Sequence, residues 1–318
     1  MDGNETENEV NDSMIDFSGL FEMQGMMFAV MILGMILKKR GMIDGNGKRL
    51  LMDLVINVTL PASIVKSFQM EFNKEILMSC MEVCVVAVLI QIGAYGLGMV
   101  LYPGFKEERK KVLQYATICS NAGILGNPVA EGIFGSLGLL YASIYVIPQR
   151  IFMWSLGLTF FTEAPNKKTL CKKVVTHPCI AAVMIGFVIM LTQLQLPAFL
   201  SKTISTVGGA NTFLAMMLVG TILAEVPLRT LADKTTLYYC FVRLILVPVL
   251  VLLGCRLGRI SSFVTAICVV LTAMPAASIT TVMASKYGKD EIFATKCVVL
   301  STVISMVSIP VWCLLLTL

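Results

Sequence analysis

The run Ser120-Asn121-Ala122-Gly123-Ile124-Leu125-Gly126-Asn127-Pro128 lies inside an otherwise apolar stretch. Proline removes a backbone donor and clashes with the preceding turn, and glycine weakens a helix by up to about 1 kcal/mol relative to alanine. This density of Gly, Asn and Pro predicts a helix broken near mid-membrane. In lipid such a break survives only inside protein or beside a water-filled cavity. The half-helix that follows presents free N–H groups and a partial positive charge, which suits an anion. A second run, Thr272-Ala273-Met274-Pro275-Ala276-Ala277-Ser278, sets one proline among small residues and offers a matching break. Paired breaks at corresponding positions point to a transporter site. Two ordinary proline kinks are the alternative.

A charge at mid-bilayer costs at least about 2.5–3.5 kcal/mol, so each one requires a reason. Gln149-Arg150 falls close to the middle of an apolar stretch. An arginine fork suits a carboxylate. Arg150 therefore either meets an anionic substrate or pairs with an internal carboxylate, for which Glu131 and Glu82 are the candidates. Arg243 stays open between a functional and a structural role, while Lys296 is placed to snorkel. The interrupted runs hold no Asp or Glu pair of the kind a cation carrier uses. His177 is the single histidine, at a helix start beside Pro178, and no Ser-His-Asp or Cys-His set can be built around it. No P-loop, dinucleotide fingerprint or HExxH occurs, so neither an enzyme nor an ATP-driven pump is expected, and no cofactor or metal.

These residues must be held by membrane-spanning elements. Of the 318 residues 57% are hydrophobic and 14% charged, with a mean hydropathy of +0.82. A soluble domain averages about 25% charged residues. Apolar stretches of bilayer length recur at 17–37, 48–68, 76–101, 112–136, 138–162, 177–195, 198–224, 235–257, 261–285 and 291–316. The predicted fold is all-α: a polytopic membrane protein of about ten helices, with the fourth and ninth broken. Asn57-Val58-Thr59-Leu60-Pro61 reads as a kink in the second, and Pro148, Pro248 and Pro310 as kinks elsewhere.

The loops supply orientation. Lys38, Lys39, Arg40, Lys48 and Arg49, then Lys106 to Lys111, Lys167 to Lys173, Arg229 with Lys234, and Lys286 with Lys289 fall on alternate connections. The opposite loops hold only Lys66, Lys74, Lys202, Arg256 and Arg259. Positive-inside bias then puts both termini outside a plasma membrane, and loop-clustered charge of this kind reads as topology rather than nucleic-acid binding. The acidic residues 1–16 form an extracytoplasmic tail, and its two N-x-S/T matches read as chance. Residues 17–162 form a first set of five spans, 163–176 a basic cytoplasmic linker and 177–318 a second set. Five is odd, so the second set is inverted relative to the first. The sets resemble one another locally: Phe134-Gly135 precedes Tyr141-Ala142 much as Tyr287-Gly288 precedes Phe293-Ala294. The cysteines lie mostly in apolar runs and act as small apolar residues. Gly254 and Gly258 suit close helix packing, within one chain or in a homodimer.

The interrupted runs, with Phe134-Gly135, Met274-Pro275, Ala284-Ser285-Lys286-Tyr287-Gly288, Asn57 to Pro61 and Pro148-Gln149-Arg150, resemble the auxin efflux carrier family over nearly the whole chain. The short central loop looks bacterial. The resemblance implies a 5+5 inverted repeat with crossed helices four and nine, as in bile-acid symporters and sodium/proton antiporters. It also implies a scaffold part and a transport part that shift like an elevator, and cargo such as dicarboxylates or auxin. Carried onto this chain, Asn121 and Pro128 match the first crossover, Pro275 the second, and Gln149 a polar site-lining position. Arg150 departs from the plant pattern.

The expected function is secondary transport of a small organic anion, with Asn121, Asn127, Pro128, Gln149, Arg150 and Pro275 forming the substrate site and a proton or sodium ion available for coupling. A sodium-coupled symporter of a larger amphipathic anion and a membrane ligand sensor that carries nothing are the rivals.

Overall fold

The computed structural model describes residues 17–71, 73–161, 176–225 and 231–317. The acidic tail 1–16, the linker from residue 163 to residue 175 and Arg229 lie outside the described residues. Among the described residues there is no strand beyond one isolated bridge. The helices are α1 (Phe17–Lys39), α2 (Gly45–Ser67), α3 (Lys74–Val100), α4 (Glu107–Ile118), α5 (Asn127–Trp154), α6 (Pro178–Thr192), α7 (Ala198–Leu223), α8 (Lys234–Leu257), α9 (Ser262–Thr272), α10 (Ile279–Lys286) and α11 (Glu291–Thr317). Among the described residues six apolar segments are long enough to cross a bilayer: α2, α3, the run Ala122–Phe160, α7, α8 and α11, with α6 and α9 shorter but apolar. The chain is a multi-pass, all-α membrane protein.

Polar caps set several ends just outside the apolar stretches. The Asp44 side chain accepts from Gly47 N, that of Asn73 from Glu75 N, and Asp233 forms a reciprocal capping box with Thr236. His177 caps α6, its Nδ1 accepting from Cys179 N at 3.3 Å. Some ends differ from the hydropathy reading. Helix α4 begins at Glu107 rather than near residue 112, because its charged first turn is held by Lys111 on Glu107 at 3.2 Å, which hydropathy does not register.

Three of the prolines behave alike. Pro61, Pro128 and Pro248 each follow a five-residue π turn, at Val55–Thr59, Ala122–Gly126 and Val242–Leu246. The wider turn removes the clash between the proline ring and the carbonyl four residues earlier, so α2 and α8 continue through their prolines. In α8 the carbonyl that Pro248 leaves unbonded, that of Leu244, accepts from Trp312 Nε1 at 2.8 Å.

Two glycines interrupt the helical path in similar local sequence. Gly135 (φ 65°) interrupts α5 and Gly288 (φ 62°) follows α10. Each is preceded by an aromatic residue, and each occupies the left-handed region that glycine enters without penalty.

The helices pack in two groups. In one, α7 lies against α1 and α2, and α2 against α6. Backbones approach closely here: a Cβ on Gly34 would stand 2.3 Å from Met217 O, and one on Gly220 2.0 Å from Met31 O. Small residues at the crossing are what allow such packing in lipid. In the other group α3 packs on α4 and α5, α9 on α5 and α8, and α10 on α11. Polar contacts between helix ends also sort into two faces. Lys38 and Lys48 meet Glu225, and Arg109 meets Asp290 at 2.9 Å, all at ends next to basic loops. At the other face Lys66 meets Glu131, Ser201 meets Gln69, and Ser261 meets Glu82.

Candidate functional site

Both interrupted runs are breaks, and they cross. After Ile118 the chain turns extended at Cys119, and after Thr272 it leaves the helix until Ile279. Where they meet, Ser120 and Ala276 form an antiparallel bridge. Asn121 N donates to Pro275 O at 2.8 Å, and Ala277 N to Cys119 O at 3.0 Å. Ser301 Oγ of α11 accepts from Ala276 N at 3.1 Å. Four of the backbone groups released by the two breaks thus satisfy one another, as an apolar surrounding requires.

The carbonyl ends of the two half-helices are closed from α8. Tyr239 Oη donates to Ala116 O at 3.0 Å. One turn further on, Arg243 sends Nη1 to Thr117 O at 2.9 Å and Nε to Met274 O at 3.0 Å. Arg243 is 2% exposed, and among the described residues no carboxylate lies within 4 Å of it.

The amide ends are left open. No side chain caps the turn that starts at Ala122, and none caps α10 at Ser278. Both ends border a cavity of about 100 Å³, which is also lined by Met52 and Ile56 of α2 and by Gln149, Arg150 and Met153 of α5. Orphan N–H groups and the positive end of a half-helix therefore face the same space.

Gln149 is buried, and its Nε2 donates to Ser120 O at 2.6 Å and Ser120 Oγ at 3.0 Å. A carbonyl only accepts, so the amide orientation is fixed and Oε1 is the atom left without a partner. The Arg150 guanidinium lies over the start of the half-helix, where a Cβ on Gly123 would stand 2.9 Å from Nη2. Neither carboxylate named as its partner is one. Glu131 is held by Lys66 at 3.7 Å and Ser63 at 3.4 Å, and Glu82 accepts from Ser261 N and Oγ at 3.2 and 3.1 Å. Among the described residues Arg150 has no carboxylate within 4 Å.

Of the residues singled out from the sequence, Asn121, Gln149 and Arg150 line this cavity. Asn127 lines a neighbouring void of about 10 Å³ together with Arg150, and its Oδ1 has no partner. That void has room for about one water. Pro128 and Pro275 line neither space; they shape the backbone. Ser120, Gly123 and Ser278 join the site from within the quoted runs. Met52 and Ile56 come from α2, just before the Asn57–Pro61 run, and carry no sequence signal of their own beyond the apolar pattern of a span. Met52, Ser278 and Val282 also line a neighbouring cleft of about 490 Å³. Lys48, Glu225, Lys286 and Glu291 line that cleft, at the face of the basic loops.

Comparison with known proteins agrees with this architecture. The profile of the family described as membrane transport protein matches residues 26–173 and 166–313. An uncharacterized transporter of Methanothermobacter thermautotrophicus is 28% identical over 311 residues, covering 94% of this chain and 99% of the relative. The uncharacterized transporter YfdV of Escherichia coli K12 is 24% identical over 296 residues, covering 89% and 93%. An uncharacterized transporter of Methanocaldococcus jannaschii is 24% identical over 293 residues, covering 89% and 94%.

Proposed function

The chain belongs to the membrane transport protein family, the auxin efflux carrier-like group, and from that premise we propose that it is a secondary transporter of small organic anions. The observation that carries this reading is the meeting of two positive features at one cavity. The uncapped half-helix at Ala122 and the Arg150 guanidinium converge there, and no carboxylate of the described protein neutralises them. Such a site favours a carboxylate. A space of about 100 Å³ suits a cargo of a few carbons rather than an amphipathic anion.

In this reading the carboxylate sits against the N–H groups of the first half-helix and the fork of Arg150. Asn121 closes one side. Gln149 Oε1 accepts a hydrogen bond from a hydroxyl or N–H elsewhere on the cargo. The chain crosses the membrane ten times as two inverted sets of five, with the basic loops in the cytoplasm. The group built on α3, α4, α5, α8, α9, α10 and α11 carries the site past the group built on α1, α2, α6 and α7, an elevator-type movement. In this reading the Lys48–Lys286 cleft is the cytoplasmic entrance to the site.

The test is uptake of labelled mono- and dicarboxylates into proteoliposomes, with an imposed proton gradient, sodium gradient or membrane potential. Saturable uptake of one class, lost in Arg150→Ala, is the expected result. Ligand-induced thermal stabilisation without flux would replace transport by sensing.

A further inference from the structure

We propose that Arg243 is a tethered cation that takes the place of a coupling metal ion at the crossover, so that this protein is charge-balanced there without sodium. The inference rests on the half-helix geometry and needs no knowledge of the cargo.

Interrupted transporter helices present two kinds of end. Amide ends are positive and suit anionic cargo, whereas carbonyl ends and unwound carbonyls are negative and coordinate the coupling cation. Here the amide ends border the cavity, and the carbonyl ends lie behind it, facing α8. Of the two α8 side chains that reach the carbonyl ends, Tyr239 meets α4 alone, and Arg243 bridges α4 and α9. The Arg243 guanidinium bonds Thr117 O of the first half-helix and Met274 O beyond the second, and so touches both negative ends at once. It does not line the cavity.

A buried guanidinium without compensation is costly by several kcal/mol. No described carboxylate supplies that compensation. The two carbonyls and the half-helix dipoles do, and the relation is reciprocal: the carbonyl ends need a cation, and the chain carries its own. A sodium ion would compete for the same oxygen atoms against a side chain held covalently in place.

Thermal unfolding of the purified full chain in detergent, in sodium chloride against choline chloride, tests this directly. The wild-type midpoint is expected to be the same in both salts. Arg243→Gln keeps a hydrogen-bond donor but removes the charge, and Arg243→Ala removes both. These variants are expected to unfold at lower temperature and to gain a saturable rise of at least about 3 °C with sodium or low-millimolar guanidinium. Arg243→Lys, which keeps the charge, is expected to gain none. A saturable rise of the wild-type midpoint with sodium overturns the proposal. So do charge-free variants that fold as stably as wild type and respond to no cation. Should both charge-free variants fail to fold, the wild-type arm decides: insensitivity to sodium supports the proposal, and a saturable rise overturns it. The readout is stability, so it stands or falls separately from the anion-transport reading, which flux measures.

Discussion

Arg150 and Gly123 are neighbours across the crossover. The guanidinium of one covers the bare backbone of the other, with Nη2 only 2.9 Å from where a Cβ would stand. The absent side chain is what lets a cation approach the amide end of a half-helix. Gly123→Ala pushes the tip of a flexible side chain rather than any backbone atom, so the fold should hold. The expected result is a KM for the anion raised about 3–10-fold, equivalent to roughly 1 kcal/mol, with an unchanged unfolding midpoint. A KM equal to wild type would show that the approach has no part in binding.

Arg150→Ala separates a substrate ligand from a structural ion pair. Breaking a buried pair costs about 3–5 kcal/mol of stability. No pair is found here among the described residues, so the variant should fold at least as stably as wild type while losing anion uptake. Arg150→Lys should keep a fraction of it, because a point charge cannot reproduce the fork. Circular-dichroism melting and flux together decide.

Gln149 makes a prediction about the cargo. Its Nε2 is committed to Ser120, so the amide group left to meet a ligand is an acceptor. A 2-hydroxy acid should be carried better than its deoxy analogue, by about 10-fold or more, since a site that lacks its donor leaves a buried polar group unpaired. Gln149→Met should level the two substrates. Equal rates in wild type would remove Gln149 from recognition.

Lys66 and Glu131 join the two helix groups at the face opposite the cleft. The pair is partly solvated, so it is worth at most about 1 kcal/mol, or roughly a fivefold change in a two-state population. Glu131→Gln should therefore raise modification of a cysteine placed at Ser63 by a membrane-impermeant thiol reagent, by up to about fivefold. An unchanged labelling rate would mean that the contact does not hold this face shut.

The seam between α1 and α7 tolerates no side chain at Gly220, because the nearest atom is backbone. Gly220→Val should lower the unfolding midpoint by at least about 5 °C or abolish folded protein. Gly96→Ala, where nothing lies within 4 Å, should leave it unchanged or slightly higher.

What the sequence discloses here, and what it hides, follows from where each partner sits. Glycine, asparagine and proline crowded between residues 120 and 128 announce a broken helix because each acts on its own backbone. Gly135 and Gly288 were legible for the same reason, as matching aromatic-Gly pairs. Arg150 could be flagged by hydropathy, but its neighbours could not. Glu131 and Glu82 were reasonable partners by type, yet their own contacts, Lys66 with Ser63 and Ser261, come from other helices. Arg243 was the least readable, since it bonds carbonyl oxygens that every residue possesses and that leave no mark in the chain's spelling. Pro61 and Pro248 read as kinks because a π turn that absorbs a proline has no compositional signature.

The paired breaks have a consequence for how this protein is made. The amide of Asn121 and the carbonyl of Cys119 are satisfied only by residues 275 and 277, which leave the ribosome long after the first half has entered the membrane. Until then the nascent first half holds backbone groups that lipid cannot solvate, and it is obliged to wait, shielded by the insertion machinery or by water, for its complement. Two separately translated fragments, cut in the central linker, should consequently rescue each other when co-expressed, and each alone should be degraded.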